Sequence, residues 1–236
     1  MKIGLFTDIH YCETDYLGEL RQPRLAFKRT CSIMEHFKAE GVELCFCLGD
    51  LTDHAEGNTR SDIYACYKKI MDMIKSYEIP FYLVPGNHDY LMLSESDLVS
   101  QGYHPAPYSF IKGSHLFVVL DSNYRSNMQR FDIAGVEWTD SNLPPEQIEF
   151  LKEALDTSDL PVIVLLHENL DPTVEKHHIV KNASYIREII HKSNKVKYVI
   201  QGHFHSGKFT LIDGIPYITL KAVCEQENDN YMIIEL

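Results

Sequence analysis

Five short apolar runs of the chain are each followed by side chains that can bind metal ions or exchange protons. In chain order these side chains are Asp8, His10, Asp50, Asp53, Asn87, His88, His167, His203 and His205. Open α/β sheets place their sites at the carboxyl ends of strands, so we expect the groups to converge in space. Mixed carboxylate and imidazole ligands suit Mn, Fe, Zn or Co, whereas Ca and Mg favour shells of oxygen alone. The pattern therefore predicts a transition-metal site assembled from distant segments.

The size of the ligand set indicates two ions rather than one. Seven residues are candidate ligands, too many for one tetrahedral ion: Asp8, His10, Asp50, Asn87, His167, His203 and His205. Asp8 and His10 lie two positions apart, so their side chains point the same way from an extended segment. Two ions that share Asp50 as a bridging carboxylate would accommodate the set. Ions about 3.5–4 Å apart can acidify a shared water and clamp the attacking and leaving oxygens, so the pattern predicts phosphoester hydrolysis.

No single motif carries this prediction. An isolated Asp-x-His or Gly-Asp is close to noise, and Gly-Asn-His-Asp at residues 86–89 by itself could be only a turn after a strand. Histidines outside the ordered set, such as His36, His54 and His115, are assigned no role. The ordered recurrence of ligand types after successive apolar runs makes the prediction specific.

Alternating apolar strands and amphipathic helices must position these groups. The apolar runs predict strands at residues 2–8, 43–49, 80–84, 108–111, 115–120, 161–166 and 196–200, two around 213–214 and one at 231–236. Helical spacing predicts helices at residues 23–40, 60–77, about 145–156 and 183–192. Strand–helix alternation before a strand-rich C-terminal half predicts an α/β (α+β) fold with two sheets packed face to face and helices outside. No linker or repeat interrupts the pattern, so we expect residues 1–236 to form a single domain.

The composition excludes several classes of function. Of 236 residues, 44% are hydrophobic and 24% charged, and no apolar run is long enough to span a bilayer. The net charge of −12 disfavours binding to a nucleic-acid polymer. The six cysteines form no CxxC pair, so neither a zinc knuckle nor a disulfide framework is indicated. The apolar stretch at the start is too short for a signal peptide, so we expect a cytoplasmic protein without a membrane partner.

The ordered motifs resemble those of the calcineurin-like metallophosphoesterase superfamily. They are Asp8-x-His10, Gly49-Asp50-x-x-Asp53, Gly86-Asn87-His88-Asp89, His167 and Gly202-His203-x-His205. The resemblance covers nearly the whole chain and implies a four-layer αββα double β-sandwich. It implies two divalent or mixed-valence metal ions, with Mn expected and Fe or Zn as alternatives. The first ion would be bound by Asp8, His10, Asp50 and His205, and the second by Asp50, Asn87, His167 and His203.

The resemblance also implies catalytic roles for His88 and Asp53. His88, together with Asn87, would bind the substrate phosphate, and His88 would protonate the leaving oxygen. Asp53, or as a second choice Asp89, would hold the other ring nitrogen of His88 and raise its basicity. The expected mechanism is in-line attack on phosphorus by a metal-bridging hydroxide. No covalent enzyme intermediate is expected, since no Ser or Cys lies in a nucleophile motif.

Two branches of the superfamily with small substrates are similar to this chain. Residues 49–52 and 120–122 resemble bacterial cyclic-nucleotide phosphodiesterases. Residues 8–11, the arginine-containing stretch 21–29 and the tail 214–225 resemble manganese-dependent ADP-ribose/CDP-alcohol diphosphatases. The tail favours a diphosphatase of this second branch, with a cyclic-nucleotide phosphodiesterase as the alternative. In either case the partner is a small phosphorylated or nucleotide substrate, and the oligomeric state is left open.

Other activities are less consistent with the motifs. A phosphomonoesterase, including a protein phosphatase, is a further alternative. The protein-phosphatase motif Gly-Asp-x-x-Asp-Arg-Gly, however, stops here at Asp53 and continues as His54-Ala55. A non-catalytic scaffold would not need the intact ligand set. After His167 the chain reads Glu168-Asn169-Leu170 where many members have a further His or Pro, which predicts a different pocket wall.

Other residues and segments are candidates for substrate contacts and lids. Tyr11, Arg21, Arg24 and Arg125 are candidates for binding a second phosphate or a base, because Arg suits bidentate phosphate recognition. Alternatively, the first two arginines merely open a helix and Arg125 is a solvated loop residue. The motif-poor segments 90–107 and 122–143 are the expected lids. Their apolar residues 91–93 and Trp138 could line a lid, an interface or a satellite core.

Overall fold

The strands and helices follow the chain in nearly the predicted order. The computed structural model describes residues 1–133, 135–225 and 228–236. The strands are β1 (Lys2–Phe6), β2 (Leu44–Cys47), β3 (Phe81–Leu83), β4 (Tyr108–Lys112), β5 (His115–Val119), β6 (Val162–Leu165), β7 (Val196–Gln201), β8 (Ser206–Ile212), β9 (Ile215–Lys221) and β10 (Tyr231–Glu235). The helices are α1 (Pro23–Ala39), α2 (Arg60–Lys75), α3 (Asp89–Met92), α4 (Glu95–Ser100), α5 (Pro145–Thr157) and α6 (Ala183–Ser193). Each predicted strand and long helix is confirmed, with ends displaced by one or two residues.

Two sheets face each other. Among the described residues, one sheet has the strand order β10-β1-β2-β3 and the other β4-β5-β6-β7-β9-β8. In the first sheet β1, β2 and β3 run parallel and β10 is antiparallel to β1. In the second sheet β5, β6, β7 and β9 run parallel, with β4 and β8 antiparallel at the two edges. The parallel strands of both sheets therefore present carboxyl ends from which the site can be built.

Three apolar clusters separate the layers. The cluster between the sheets combines side chains of both, including Leu5, Phe46, Phe117 and Ile163. A second cluster packs α1 and α2 on the outer face of the first sheet. A third packs α5 and α6 on the outer face of the second sheet. The inner strands β1, β2, β5 and β6 are thus buried on both faces, which explains why they read as continuous apolar runs. The layer order helix–sheet–sheet–helix confirms the αββα double β-sandwich.

Local sequence signals explain where the long helices begin and end. Pro23 occupies the first turn of α1, where its missing N–H costs nothing, and Gly41 with φ +70° follows its end. The hydroxyl of Thr59 accepts a hydrogen bond from the backbone N–H of Asp62 and starts α2 as a capping box. Asn194, in a left-handed conformation, ends α6.

The segments expected as lids differ from each other. Residues 90–107 contain most of α3 and all of α4, which were not predicted, although Ser94 and Asp97 form a capping box that signals α4. The segment 122–143 contains isolated β-bridges rather than a regular element in its described part. None of the helices in the described residues is long and apolar enough to cross a bilayer.

Candidate active site

The predicted ligands converge where the carboxyl ends of both sheets meet. Asp8 and His10 follow β1, Asp50 follows β2 and Asn87 follows β3 in the first sheet. His167 follows β6, and His203 and His205 follow β7 in the second. Four of these residues have a left-handed backbone, with φ of 54° at Asp8, 49° at His10, 55° at Asp50 and 66° at His203. Such conformations cost about 1–3 kcal/mol each and persist only where the surrounding fold enforces them.

Two glycines allow the ligand loops to approach one another. A Cβ atom at Gly86 would lie 2.3 Å from Oδ1 of Asp50, and one at Gly49 would lie 2.4 Å from Nδ1 of His167. Gly49 also has φ +106°, a conformation that L side chains rarely adopt. Replacing either glycine would therefore push a candidate ligand out of place.

The nitrogen and oxygen atoms at the centre are spaced like ligands of shared ions. Oδ2 of Asp50 lies 3.5 Å from Nε2 of His10 and 3.3 Å from Nε2 of His167, so this carboxylate stands between the two halves of the site. Nε2 of His205 lies 3.3 Å from Oδ1 of Asp8 and 3.2 Å from Nε2 of His10. Metal–ligand bonds of about 2.0–2.2 Å place neighbouring ligand atoms at such separations.

Several of these atoms are buried without a hydrogen-bond partner. They are Oδ1 of Asp8, Oδ1 of Asn87, Nε2 of His167 and Nε2 of His203. Leaving a buried polar atom unsatisfied costs about 1–3 kcal/mol, and a pair of bound cations would supply partners for all four atoms. The chemistry and placement of the ligand set therefore fit a pair of metal ions around Asp50.

Carboxylates dominate the electrostatics of the centre. Burial alone would raise the pKa of Asp50, but the imidazoles of His167 and His88 hold it below its usual range. Burial would likewise lower the pKa of His205, but Asp8 and Glu225 raise it to about 9. The carboxylates thus favour positive charge on His205, whereas burial and His167 lower the pKa of His203.

Hydrogen bonds on the far side of the ring orient three of the four proposed ligand histidines. Nδ1 of His10 lies 2.9 Å from Oδ2 of Asp53, and Nδ1 of His167 lies 2.5 Å from the carbonyl oxygen of Leu48. Nδ1 of His205 lies 2.5 Å from Oε1 of Glu225. These contacts turn the Nε2 atoms toward the centre. The sequence analysis did not identify Glu225 as a site residue. The one sign of a role was its position in the tail 214–225, which resembles the diphosphatase branch.

The ring of His88 contacts Asp53 rather than Asp89. Nδ1 of His88 lies 2.9 Å from Oδ1 of Asp53, and its backbone N–H donates to Oδ1 of Asp50. The carboxylate of Asp89 instead accepts hydrogen bonds from three backbone N–H groups, those of Asp50, Leu51 and Gly86. Asp53 acts on His88 in the expected direction, because its charge and its hydrogen bond both raise the pKa of the ring. Burial and the neighbouring His10 lower the pKa, and the net result with Asp50 and Asp53 is a pKa of His88 below its ordinary value.

A cleft of about 390 Å³ opens over these groups. Asp50, Asn87 and His88 lie among its lining residues. The cleft is also lined by residues to which the sequence assigned no site role: Leu20, Glu175, His178, Phe204 and Ser206. Glu168 is not among the described residues that line it, so the predicted change of pocket wall is wrong. Its carboxylate points to the interior, where it accepts a hydrogen bond from the hydroxyl of Ser122.

Only one of the four candidates for substrate contact lies at this cleft. Arg21 lines it and donates from Nη1 to Oδ2 of Asp53 at 2.7 Å. Tyr11 is buried with its hydroxyl on Glu13, and Arg24 pairs with the same glutamate. Arg125 lines a separate cleft of about 530 Å³ between residues 90–95 and 125–133. Both expected lids line this separate cleft, and the segment 122–143 also contributes Trp138 to the cleft over Asp50.

Comparison with known proteins defines the class. The family model for calcineurin-like phosphoesterases matches residues 1–207, so the chain belongs to the calcineurin-like phosphoesterase family. A dimetal phosphatase from Danio rerio has the same fold, with a TM-score of 0.84 and 18% identity, covering 100% of this chain and 92% of that one. The family model, together with sequence relatives that are named phosphodiesterases, indicates a hydrolase that acts on phosphoesters.

Two sequence relatives bear on the particular reaction. A probable cyclic nucleotide phosphodiesterase of Fibrobacter succinogenes is 25% identical over 228 residues, which cover 93% of this chain and 78% of that relative. The 3′,5′-cyclic adenosine monophosphate phosphodiesterase CpdA of Escherichia coli is 30% identical over 145 residues. That alignment covers 60% of this chain and 49% of the relative, so the chain spans about half the relative's length. These names support the cyclic-nucleotide alternative better than the diphosphatase that the tail favoured.

Proposed function

We propose that the protein is a two-metal phosphodiesterase that hydrolyses a small nucleotide-like diester, with a 3′,5′-cyclic nucleotide as the first candidate. The observation that carries the proposal is the set of buried, unpartnered atoms around Asp50, which have the chemistry of metal ligands. The names of the relatives support the choice of substrate. The cleft of about 390 Å³ is also larger than a phosphate group alone requires.

The ligands divide into two sets that share one carboxylate. We assign Asp8, His10, Asp50 and His205 to the first ion, and Asp50, Asn87, His167 and His203 to the second. When bound, such ions acidify water and offset the charge that develops on the phosphoryl oxygens. Mn is our first choice, and Fe or Zn are alternatives, because metal selection also depends on supply.

His88 supplies the proton that the leaving group needs. Asp53 holds Nδ1 of His88, which leaves Nε2 to exchange a proton within the cleft. The oxygen of water bonds to phosphorus and the ester P–O bond breaks, while the departing oxygen takes the proton from Nε2 of His88. The attacking water gives up a proton to solvent, and Nε2 takes up a proton again before the next turnover. The product of a diester is then a phosphomonoester. Asp53 stabilises the imidazolium before the transfer and fixes the ring afterwards.

Arg21 favours a second candidate, a nucleotide diphosphate of the ADP-ribose or CDP-alcohol type. Its guanidinium lines the cleft, its side chain is 29% exposed, and one nitrogen is anchored on Asp53. The remaining N–H groups of a guanidinium suit a second phosphate. The similarity of residues 214–225 to the diphosphatase branch points the same way.

A product-resolved panel tests the proposal. Chelator-treated protein is reloaded with Mn, Fe or Zn, its metal content is measured, and it is offered cyclic AMP, ADP-ribose, CDP-choline, a bis-aryl phosphate and an aryl monophosphate. Conversion of cyclic AMP to AMP supports the first candidate, and cleavage of the diphosphates into two monophosphates supports the second. Release of phosphate from the monoester alone would point to a phosphomonoesterase. Silence with two metals bound would contradict both candidates and favour a non-catalytic role.

A further inference from the structure

One side of the candidate active-site cleft is formed by contiguous rings, here called the aromatic wall: Trp138, His178 and Phe204. The ring centroids of Trp138 and His178 are 5.3 Å apart, and those of His178 and Phe204 are also 5.3 Å apart. The Trp138 ring lies 5.7 Å from that of His203, a proposed metal ligand. The aromatic wall therefore begins directly beside the atoms at which the reaction takes place.

The fold leaves the principal ring of this wall uncovered. Trp138 is the only tryptophan in the sequence, and it remains 37% exposed. Its neighbours His177 and His178 contact it from the 3₁₀ turn at Lys176–His178, so packing accounts for part of its surface. The exposed part borders the cleft. A large aromatic ring that is half packed and half open in a concave site is suited to a planar ligand.

Apart from Leu20, the other residues that line the cleft are polar or charged. Its floor carries Asp50, Asn87 and His88, and its rim carries the charged groups of Arg21 and Glu225. Phosphate and sugar oxygens suit these polar groups, whereas an aromatic surface suits a flat apolar group. The cleft thus separates a polar region for the reacting phosphate from an aromatic region for a planar substituent.

We propose that the aromatic wall binds the nucleobase of the substrate by stacking on Trp138, and that this contact selects nucleotide esters over esters with aliphatic substituents. The inference rests on the proposed function and adds to it the part of the substrate that is recognised. Base–aromatic stacking strengthens binding by about tenfold or more for each base. Stacking tolerates different bases because every base has a π-face, so purines and pyrimidines are both accepted.

The single tryptophan makes this contact directly observable. Tryptophan emission reports Trp138 alone in the unmodified protein, so 5′-AMP and ribose 5-phosphate can be titrated while the emission is recorded. The two probes share the sugar and the phosphate and differ in the base. We expect AMP to quench the emission and to bind about tenfold more tightly than ribose 5-phosphate. The measurement is made on metal-loaded protein and requires no turnover.

Two variants and one control separate stacking from a structural role of the ring. By calorimetry, Trp138→Ala should lose the preference for AMP, whereas Trp138→Phe, which keeps a ring, should retain most of it. Tyr185→Ala removes an aromatic side chain that is 48% exposed on α6 and is not among the residues lining the cleft, so it should retain the full preference. Circular dichroism and the thermal midpoint establish that each variant is folded.

The outcomes for the aromatic wall and for the proposed function are distinct. Equal affinity for AMP and ribose 5-phosphate in a protein that hydrolyses cyclic AMP would overturn the proposal that the aromatic wall binds the base, and would leave the proposed function intact. A preference for AMP that survives in folded Trp138→Ala would also overturn it. A base-dependent affinity that is lost in Trp138→Ala, found in metal-loaded protein without hydrolysis, would support the wall and contradict the proposed function.

Discussion

The carboxylate of Asp53 spans His88 and a candidate ligand. Its Oδ1 lies 2.9 Å from Nδ1 of His88, and its Oδ2 lies 2.9 Å from Nδ1 of His10. Arg21 adds a third contact at 2.7 Å. One buried side chain therefore sets the orientation of the proposed proton donor, of one metal ligand and of an arginine at the rim.

Replacing Asp53 should impair catalysis more than folding. Asp53→Asn keeps the size of the side chain but removes the charge that stabilises the imidazolium of His88. We expect kcat to fall by about 10–100-fold, the usual effect of losing such a partner. Steady-state kinetics measure the loss, and Asp72→Asn, at an exposed helical ion pair with Lys68, is the matched control. An unchanged kcat in folded Asp53→Asn would refute the role of the carboxylate.

The role of His88 predicts a dependence on the leaving group. His88→Ala should lower kcat for cyclic AMP by about 10²–10⁴-fold, because its alkoxide leaving group needs a proton. The loss should be much smaller for bis-(4-nitrophenyl) phosphate, whose phenolate departs without one. His115→Ala, at the start of β5, serves as the control. Equal losses for the two substrates, with unchanged metal content, would rule out proton donation by His88.

The assignment of Asp50 to both ions predicts a link between metal content and stability. Because this carboxylate is assigned to both ions, Asp50→Asn should lower the bound metal below two per chain and abolish turnover. Ligands that bind only the native state raise the unfolding free energy by mass action. Adding Mn to chelated wild-type protein should therefore raise its thermal midpoint, and the shift should be smaller in Asp50→Asn. Full occupancy and a normal shift in the variant would contradict the bridging assignment.

Glu225 is predicted to act through His205. Glu225→Gln removes the charge that holds Nδ1 of His205, so one of the two ions should bind about 10–100-fold more weakly. Metal titration of the chelated protein measures both affinities. Glu235→Gln, at an exposed position of β10, should leave both unchanged. Loss of turnover with both affinities intact would mean that Glu225 acts in some other way.

Glu13 predicts a small pH dependence of stability away from the site. Hydrogen bonds from Lys69 and Tyr11 lower its pKa from 4.5 to about 2. A lowered pKa in the folded state contributes stability above the unfolded pKa, and this is lost as the pH falls through the folded pKa. Between pH about 5 and 2 the thermal midpoint of the wild type should fall about 1–3 °C more than that of Glu13→Gln, because exposed ion pairs contribute little. Parallel curves would contradict the prediction.

The elements and the ligand types could be predicted from the sequence because both are local properties. Strands buried on two faces leave continuous apolar runs, and amphipathic helices leave helical spacing, so β1 or α2 can be found from its own residues. Asp8 and His10 directly follow β1, so their convergence with other strand ends follows from the general geometry of parallel sheets. The αββα order and the candidate metal centre were predictable for this reason.

Tertiary structure decided which other side chains surround that centre. Glu225 meets His205 because β8 and β9 form a hairpin in which Ser206 lies opposite Lys221. The chain after β9 therefore returns to the position of His205, which precedes β8. Trp138 reaches the cleft from a segment without regular periodicity, so its position depends on long-range packing. Arg21 and Arg125 are chemically alike, yet they line different clefts. Residue type and spacing determine the chemistry that is possible, whereas contacts between distant segments determine which side chains take part.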